Sequence, residues 1–346
     1  MKVGIVFHKD PTGLPTGIDL VRLRAIAMGL VARGIDTEII APVTRASVMD
    51  CGVPVVTPDS LCISGRYAVV KTCYHQSIKL VMDYAGPVIS RIVRVVDAKL
   101  PERDSAFRAE LLRCQLLIQQ RAKAVILNNT LNEERWRQFY GRRQLVEIIP
   151  TGCPLTIPKS SKNPFNTKKP VALFLGSLAA PRMVNFMNRL AEQVSDECEI
   201  HVVGANKTAL YGAYKEIPLH KNVFYHGEIP EPDIWPYIEH SSIGLAIATG
   251  PHPFDNDLSK MFYYLRGGLP VISEGPVCTN YLLRETSYGD IVPFNDVSAF
   301  RQSMLKILRN PPPVQRHAVM RYMARHHSWE NRVDRLVNLI RGAISS

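Results

Sequence analysis

The chain has 346 residues, too long for one ordinary core and suited to two α/β domains of about 150 residues each. Hydrophobic residues make up 46% and charged residues 21%, as in soluble globular proteins. No stretch approaches the roughly 20 apolar residues of a membrane span, which argues against an integral membrane protein. The first apolar run, Val3–Phe7, is too short for a signal peptide and predicts a β-strand.

The cysteines and the net charge limit which cellular compartment and which binding partners are expected. The seven cysteines are odd in number and never form a Cys-x-x-Cys pair, which argues against a disulfide framework or a zinc site and predicts a cytoplasmic protein. Lys and Arg number 42 against 31 Asp and Glu, a net charge of +11. This surplus suits nucleic acid, an anionic membrane surface or an anionic ligand, and it does not distinguish them.

The first half of the chain alternates between predicted strands and helices. After Val3–Phe7 and a loop, a helix is predicted over about 18–32, ending before Gly34. Further strands are predicted at Thr37–Ala41, Val53–Val56, Tyr67–Lys71, Ser90–Val96 and Lys123–Leu127, with a helix over about 103–120. This alternation predicts a parallel sheet covered by helices.

A linker and a second alternating run follow. The Pro-, Ser- and Lys-rich stretch from Pro150 to Pro170 predicts the linker. Strands are then predicted at Val171–Leu175, Glu199–Val203, Val223–His226, Ile243–Ala248 and Pro270–Ser273, and helices at Met183–Val194, Ile234–His240, Ser259–Arg266 and Val297–Leu308. The two runs predict two Rossmann-like domains facing a cleft. No Gly-x-Gly-x-x-Gly follows a strand and no P-loop is present, which disfavours a dinucleotide cofactor and a P-loop NTPase.

Six separated segments carry a more informative pattern. They are PTGLPTGIDLVRLRAIAMGLVARGIDTEIIAP (11–42), LFLGSL (173–178), HVVG (201–204), NVFYHGEIP (222–230), DLSKMFYYLRGGLPVISEGP (257–276) and HHSWENRVDRLVNLI (326–340). In this order and spacing they resemble GT-B glycosyltransferases of the family 4 type. The fifth segment resembles the signature S-x-K-x-x-E-Y-L-A-x-G-x-P-V-V, and the last resembles a terminal helix that crosses back onto the first domain.

The resemblance implies an α/β protein with the GT-B fold, in which two Rossmann-like domains with parallel sheets face a central cleft. Residues 1–155 would bind the acceptor, residues 156–327 would bind the nucleotide sugar, and a C-terminal helix over 328–346 would pack on the first domain. The implied reaction moves a sugar from a UDP- or GDP-type donor to a hydroxyl of a glycan or lipid-linked acceptor, in polysaccharide or glycoconjugate synthesis. No metal, other cofactor or nucleic acid is expected.

The resemblance places the donor site on the second domain. Its predicted residues are Gly176, Ser177, Arg182, His226, Gly227, Ser259, Lys260 and Met261. Lys260 is expected at a helix start, where free N–H groups and the lysine charge suit a diphosphate, with an exposed surface lysine as the alternative. Arg182 is expected against the phosphates, although the usual Lys-Gly does not precede it. Gly176 lets the backbone approach a ligand, or only makes a tight turn.

One position departs from the family pattern. Retaining relatives carry a Glu-x7-Glu pair, and here Asp255 and Tyr263 stand at the two positions, so the second glutamate is absent. Ser259-Lys260-Met261 resembles instead the inverting glucuronosyltransferases of bacterial exopolysaccharide assembly, which favours inversion. Asp255-Asn256-Asp257 also spells D-x-D, a pattern that could hold Mg²⁺ or Mn²⁺. Asp257 is explained more simply as an acid at a helix start.

Inversion needs a group that takes the acceptor proton. Asp97 directly follows the run RIVRVV, where a parallel sheet presents groups to its ligands, and R-V-x-D resembles the base segment of inverting relatives. Capping of the next helix is the alternative role for Asp97. His8 ends the first strand and is the rival base, because a histidine near there is the base in plant-type inverting relatives.

Other interpretations stay open at this point. A catalytically silent GT-B protein that binds a glycan or partner, a retaining synthase and a nucleotide-sugar epimerase all fit the pattern. The segment 91–143 carries 12 basic and 6 acidic residues. It predicts a peripheral contact with anionic lipid on the inner face of the membrane, with a solvated helix face as the alternative.

Overall fold

The computed structural model describes residues 1–13, 17–44, 48–96, 105–159, 162–207, 217–312 and 315–345. The chain divides into an N-terminal unit, Met1–Gly152 with Trp329–Ser346, and a C-terminal unit, Cys153–Ser328. The division falls slightly before the predicted limit at 155. Cys153 belongs to the C-terminal unit because its N–H donates to the His327 carbonyl over 2.9 Å.

The described strands of the N-terminal unit form a single sheet. They are β1 (Lys2–Val6), β2 (Asp36–Ile40), β3 (Val48–Asp50), β4 (Val53–Val56), β5 (Val69–Thr72), β6 (Val88–Arg91), β7 (Ala124–Leu127) and β8 (Leu145–Ile148). Within the described ranges the order is β3-β4-β2-β1-β5-β6-β7-β8, and the pairs are parallel except β3 with β4. Short Val- and Ile-rich runs suit strands covered on both faces.

Helices cover this sheet. They are α1 (Ile18–Val31), α2 (Ser105–Arg121) and α3 (Thr130–Tyr140). The predicted strand Ser90–Val96 is wrong in its limits, because β6 begins to pair with β5 at Val88 and ends at Arg91. The sequence did not predict α3. Its first turn is fixed by Asn129, whose side chain accepts a hydrogen bond from the Asn132 N–H.

The C-terminal unit repeats the alternation with a smaller sheet. Its strands are β9 (Val171–Leu175), β10 (Glu199–Val203), β11 (Val223–Tyr225), β12 (Ile243–Ala246), β13 (Val271–Glu274) and β14 (Gly289–Val292), and its helices are α4 (Pro181–Gln193), α5 (Trp235–Glu239), α6 (Lys260–Arg266), α7 (Tyr281–Thr286), α8 (Val297–Arg309) and α9 (Arg316–His327). For the described residues the order is β11-β10-β9-β12-β13-β14, parallel throughout. The order reverses at β9, and the carboxyl ends of the strands beside such a point are where open α/β sheets bind ligands.

The last helix, α10 (Trp329–Ser345), returns to the N-terminal unit. Its residues Val333, Leu336 and Ile340 are buried in the core that α1 forms with the sheet. The packing is close, since a Cβ added at Gly29 of α1 would lie 2.6 Å from a Val333 methyl. The first strand and the end of the chain are therefore parts of one folded unit.

Candidate functional site

Three neighbouring strands of the C-terminal unit are followed by glycines. Gly176 follows β9, Gly204 follows β10, and Gly227 lies in the loop after β11. The Gly176 N–H donates to the Val203 carbonyl over 2.7 Å, and the Gly204 N–H donates to the Gly227 carbonyl over 2.8 Å. We call Gly176, Gly204 and Gly227 the glycine edge. It lies at the carboxyl ends of the strands, where parallel sheets bind ligands.

Two of these positions require glycine for steric reasons. Gly204 has a φ of 146°, and a Cβ there would collide with the carbonyl of Gly176. Gly176 has a φ of 113°, which side chains rarely adopt. A Cβ on Gly176 would lie 3.5 Å from Cε and 3.7 Å from Nζ of Lys260. Bare backbone and a lysine amine therefore meet at the glycine edge.

Lys260 is buried and lacks an anionic partner among the described residues. Its side chain starts from the first residue of α6, and the residue is only 8% exposed. Its Nζ lies 3.3 Å from the centre of the Phe174 ring, and no carboxylate of the described ranges forms an ion pair with it. Burial lowers the pKa of Lys260 well below its ordinary value. The alternative of an exposed surface lysine is therefore wrong.

Tyr264 fixes α6, and with it Lys260, to the sheet. Its hydroxyl accepts a hydrogen bond from the Leu175 N–H at 2.6 Å and donates to the Leu173 carbonyl at 2.9 Å. Both partners belong to β9, the strand that leads into Gly176. Tyr264 is fully buried. No sequence signal indicates this role, because a tyrosine inside an apolar helix is also an ordinary core residue.

The two neighbours of Lys260 in the Ser-Lys-Met motif differ in their surroundings. Ser259 precedes α6 with helical backbone angles, and its side chain makes no capping hydrogen bond. Met261 is fully buried, and direct donor contacts by Ser259 and Met261 stay predictions. Consecutive residues of a helix point about 100° apart, which is why Lys260 reaches the glycine edge and Met261 enters the core.

Arg182 pairs with an acid that no local sequence signal indicates. It lies in the first turn of α4 and forms a bidentate ion pair with Glu274, one arm measuring 2.7 Å. Glu274 is fully buried and also accepts from the N–H groups of Ala248 and Asn295 at 2.7 and 2.8 Å. The Arg182 guanidinium further lies 4.3 Å from the Phe294 ring centre. This arrangement ties strand ends together, and a direct phosphate contact by Arg182 stays a prediction.

His226 precedes Gly227 and pairs with a buried histidine. Its Nε2 lies 2.9 Å from Nδ1 of His201, whose Nε2 lies 3.1 Å from a Glu199 carboxylate oxygen. The rings of Phe165 and Tyr237 pack edge-on against His226. Burial lowers the pKa of both histidines. His226 therefore supports the loop that carries Gly227, and a direct donor contact by its ring stays a prediction.

The D-x-D motif is organised around its central residue. Asn256 is fully buried, and its Oδ1 accepts from the N–H and hydroxyl of Thr249 at 2.7 and 2.9 Å. Asp257 hydrogen-bonds Cys278, while the Asp255 side chain lies outside the described atoms. In the described ranges no group of three or more His, Cys, Asp or Glu side chains is arranged to hold a metal ion.

In the N-terminal unit, His8 lies beyond the carboxyl end of β1 beside Tyr74, which follows β5. The two rings stack at 5.2 Å, and His75 lies next along the chain. Burial lowers the pKa of His8 to about 4 and that of His75 to about 4, so both imidazoles are neutral at pH 7. Nδ1 of His8 is buried without a hydrogen-bond partner among the described residues. Asp97, the other predicted base, lies outside the described residues.

The fold of the chain matches solved structures of low sequence identity. No protein-family model and no curated protein matches the chain. Sucrose-phosphate synthase from Thermosynechococcus elongatus is 14% identical with a TM-score of 0.76, and the match covers 99% of each chain. Anabaena HepE in complex with UDP-glucose is also 14% identical with a TM-score of 0.76, and the match covers 99% of this chain and 100% of HepE. The chain has the GT-B fold.

A third similar structure agrees with this GT-B assignment. WaaG, a glycosyltransferase involved in lipopolysaccharide biosynthesis, is 14% identical with a TM-score of 0.68, and the match covers 98% of this chain and 100% of WaaG. The predicted fold class is therefore confirmed. Within the described part of this GT-B chain, no helix has the length and apolar character needed to cross a bilayer.

Proposed function

We propose that this protein transfers a sugar from a nucleoside diphosphate donor of the UDP or GDP type to a hydroxyl of a glycan or lipid-linked acceptor. One observation carries the proposal: Lys260 is buried at the glycine edge with no anionic partner among the described residues. A buried cation without a counter-charge is costly, and a diphosphate would supply the missing charge. HepE, one of the similar proteins, has been solved with UDP and with UDP-glucose.

The backbone around Lys260 supports a diphosphate contact. Gly204 lets the backbone of Gly176 pack against it, and Gly176 has no side chain beside the Lys260 amine, so a ligand at that amine can approach the end of β9 closely. Ser177, which directly follows Gly176, is half-buried and stays a predicted donor contact. All of these residues belong to the C-terminal unit. The donor would therefore bind to the C-terminal unit and the acceptor to the N-terminal unit, with no metal or other cofactor required.

We further propose that the reaction inverts the anomeric centre. Inversion needs one base on the acceptor side, and Asp97 and His8 are the candidates. His8 offers a neutral imidazole at a strand end, and its Nδ1 makes no hydrogen bond within the described residues. The role of Asp97 as the base is supported only by the resemblance of its segment, R-V-x-D, to the base segment of inverting relatives.

The protein would act at an anionic membrane surface. In the segment 91–143, Arg113, Lys123, Arg142 and Arg143 are exposed. The last three line a groove of about 1080 Å³, and no acidic residue of the described chain lines it. Each basic residue near anionic lipid contributes about 1 kcal/mol of attraction. Binding there would bring a lipid-linked acceptor to the enzyme.

The donor site is tested by nucleotide binding to wild-type protein and Lys260→Met, measured by calorimetry with UDP, GDP and ADP. Methionine keeps an unbranched side chain and removes the charge, so we expect binding of the preferred nucleotide to weaken by about 1.5–3 kcal/mol. The variant should fold as stably as the wild type, because it removes a buried cation that has no counter-charge. Lys221→Met, at an exposed lysine of the same unit, is the matched control.

The pH dependence of nucleotide affinity is a second test of the donor site. Because burial lowers the pKa of Lys260, raising the pH discharges its amine earlier than that of an ordinary lysine, whose pKa is about 10.4. Wild-type affinity should therefore fall with rising pH well before the ordinary lysine range, while the affinity of Lys260→Met stays nearly constant there. Unchanged binding in Lys260→Met contradicts the donor site. Nucleotide binding without release of nucleoside diphosphate from any sugar donor favours the silent binding protein.

A further inference from the structure

The N-terminal unit contains buried basic side chains between its sheet and α1. Lys71 of β5 is fully buried, and Arg22 of α1 is only 2% exposed. The sheet register places Lys71 between Ile5 of β1 and Ile89 of β6, two residues of the core that α1 covers. Arg91 follows Ile89 by two residues, so its side chain leaves the sheet on the same face. We call Arg22, Lys71 and Arg91 the basic cluster.

Contacts within the unit bring these three side chains together. Arg22 donates from Nη2 to the Thr151 hydroxyl over 3.4 Å, and Arg91 donates from Nη1 to the Ile149 carbonyl over 3.1 Å. Ile149 and Thr151 are two residues apart in one segment. Burial lowers the pKa of Lys71, and the positive charges of Arg91 and Arg22 lower it further. The basic cluster therefore concentrates positive charge in a region closed to solvent.

The donors of Lys71 and Arg22 are poorly satisfied. The Lys71 amine reaches the Thr72 carbonyl at 3.3 Å and Sγ of Cys73 at 3.5 Å, and both contacts are long. No carboxylate of the described ranges forms an ion pair with Lys71. Arg22 pairs with Asp19 at 2.8 Å, but its Nε is buried with no hydrogen-bond partner in the described part of the chain. A buried cation and a buried N–H in this state cost free energy unless an anion reaches them.

The charge and the oxygens of a phosphoryl group suit the basic cluster. Such a group carries about −1.5 to −2 charges at pH 7 and offers three strong acceptor oxygens. A carboxylate carries a single charge, and Asp19 already supplies one to Arg22. Lys71 is the last residue but one of β5, and Arg91 is the last residue of β6. The cluster thus lies toward the carboxyl ends of parallel strands, where α/β sheets bind ligands.

We propose that the N-terminal unit binds a phosphoryl group between Arg22 and Lys71, with Arg91 adding to the positive potential. The group belongs either to inorganic phosphate or to a phosphate ester. The inference does not depend on the proposed sugar transfer, because its residues belong to the N-terminal unit and Lys260 belongs to the C-terminal unit.

The test measures thermal unfolding in millimolar inorganic phosphate, with chloride at equal ionic strength as the reference. All proteins carry Lys260→Met, so that phosphate bound at the proposed donor site makes no contribution. At ten times the Kd obtained by calorimetry, phosphate should raise the unfolding midpoint by about 3–6 °C. Adding Lys71→Met or Arg22→Gln should abolish this shift. Adding Lys123→Met, at an exposed lysine of the same unit, should leave it unchanged.

Stability without phosphate separates ligand binding from a structural role. Lys71→Met removes a buried cation that has no counter-charge, so its midpoint in chloride should equal or exceed that of the Lys260→Met background. A lower midpoint in chloride contradicts the inference. The absence of a phosphate shift in the background, or a shift that persists in both Lys71→Met and Arg22→Gln, overturns it.

The source of the phosphoryl group is identified by calorimetry in the same background. The ligands are inorganic phosphate, methyl phosphate and farnesyl diphosphate. An ester that binds at least about tenfold more tightly than inorganic phosphate, which corresponds to one factor of ten in Kd, supports the site and assigns it to esters. Equal or weaker binding of both esters supports the site and assigns it to free phosphate. Failure of all three ligands to bind overturns the inference and leaves the donor site at Lys260 untouched.

Discussion

Two basic side chains of the C-terminal unit, Arg182 and Lys260, are buried in opposite electrostatic environments. Arg182 is neutralised by Glu274, whose remaining acceptor capacity is taken by the N–H groups of Ala248 and Asn295. Lys260 has the Phe174 ring and no anion among the described residues. A satisfied pair holds structure together, whereas an unsatisfied charge at a strand end is available for a ligand.

The two candidate bases are distinguished by kinetics. If Asp97 is the base, Asp97→Asn should retain donor binding and lose at least about 100-fold in kcat, whereas His8→Gln should lose far less. The reverse pattern would assign the role to His8. A catalytic His8 should also give a rate that falls below about pH 4, since burial lowers its pKa to about 4 and protonation removes the lone pair. Both variants are measured for release of nucleoside diphosphate at saturating donor, with binding of UDP or GDP as the folding control.

The position of the candidate donor site depends on the loops that follow β9, β10 and β11. β9, β10 and β11 are parallel neighbours, and their following loops meet through backbone hydrogen bonds at the glycine edge. The Tyr264 hydroxyl links the same strand β9 to α6. The helix that carries Lys260 is therefore held in register with the backbone that would face the phosphates.

The glycine edge predicts a matched pair of substitutions. Gly204→Ala forces a side chain into a φ of 146° and against the Gly176 carbonyl. We expect it to lower the free energy of unfolding by about 1–3 kcal/mol and to weaken nucleotide binding. Gly250→Ala has open space around its Cβ and should stay within about 0.5 kcal/mol of the wild type. Urea denaturation and calorimetry measure the two effects; equal behaviour of the variants would contradict the steric argument.

Over the chain as a whole, only part of the basic segment 91–143 can meet a surface. Arg91 is buried, where it donates to the Ile149 carbonyl, and Arg121 donates to the Gly86 carbonyl. The exposed groove residues Lys123, Arg142 and Arg143 lie before β7 and β8, at the amino ends of the strands. This is the opposite edge of the sheet from His8.

The groove predicts salt-sensitive membrane binding. Wild-type protein should float with vesicles of phosphatidylcholine and phosphatidylserine at low salt and be released at high salt, because salt screens exposed charges. Replacing the groove residues Lys123, Arg142 and Arg143 by glutamine should weaken binding at least about tenfold. The control replaces exposed cations of the C-terminal unit and should have a smaller effect; these are Lys168, Lys221 and Arg284. Absence of wild-type binding at low salt would contradict the membrane proposal.

Local sequence signals were sufficient to predict the order of most helices and strands and the fold class. Strands such as Val171–Leu175 are short apolar runs bounded by turn residues. Such strands can be predicted without knowing which distant segments they contact. The helix over Lys260–Arg266 was likewise predicted within one residue. The helix Thr130–Tyr140 was missed because its sequence, TLNEERWRQFY, is mostly polar and its apolar periodicity is weak.

The environment of each site residue required the folded chain. Arg182 meets Glu274 across 92 positions of sequence, and His8 meets Tyr74 only because β1 and β5 are neighbours in the sheet. Burial and pairing arise from contacts between segments far apart in the chain, whereas sequence periodicity reports only which face of its own element a residue occupies.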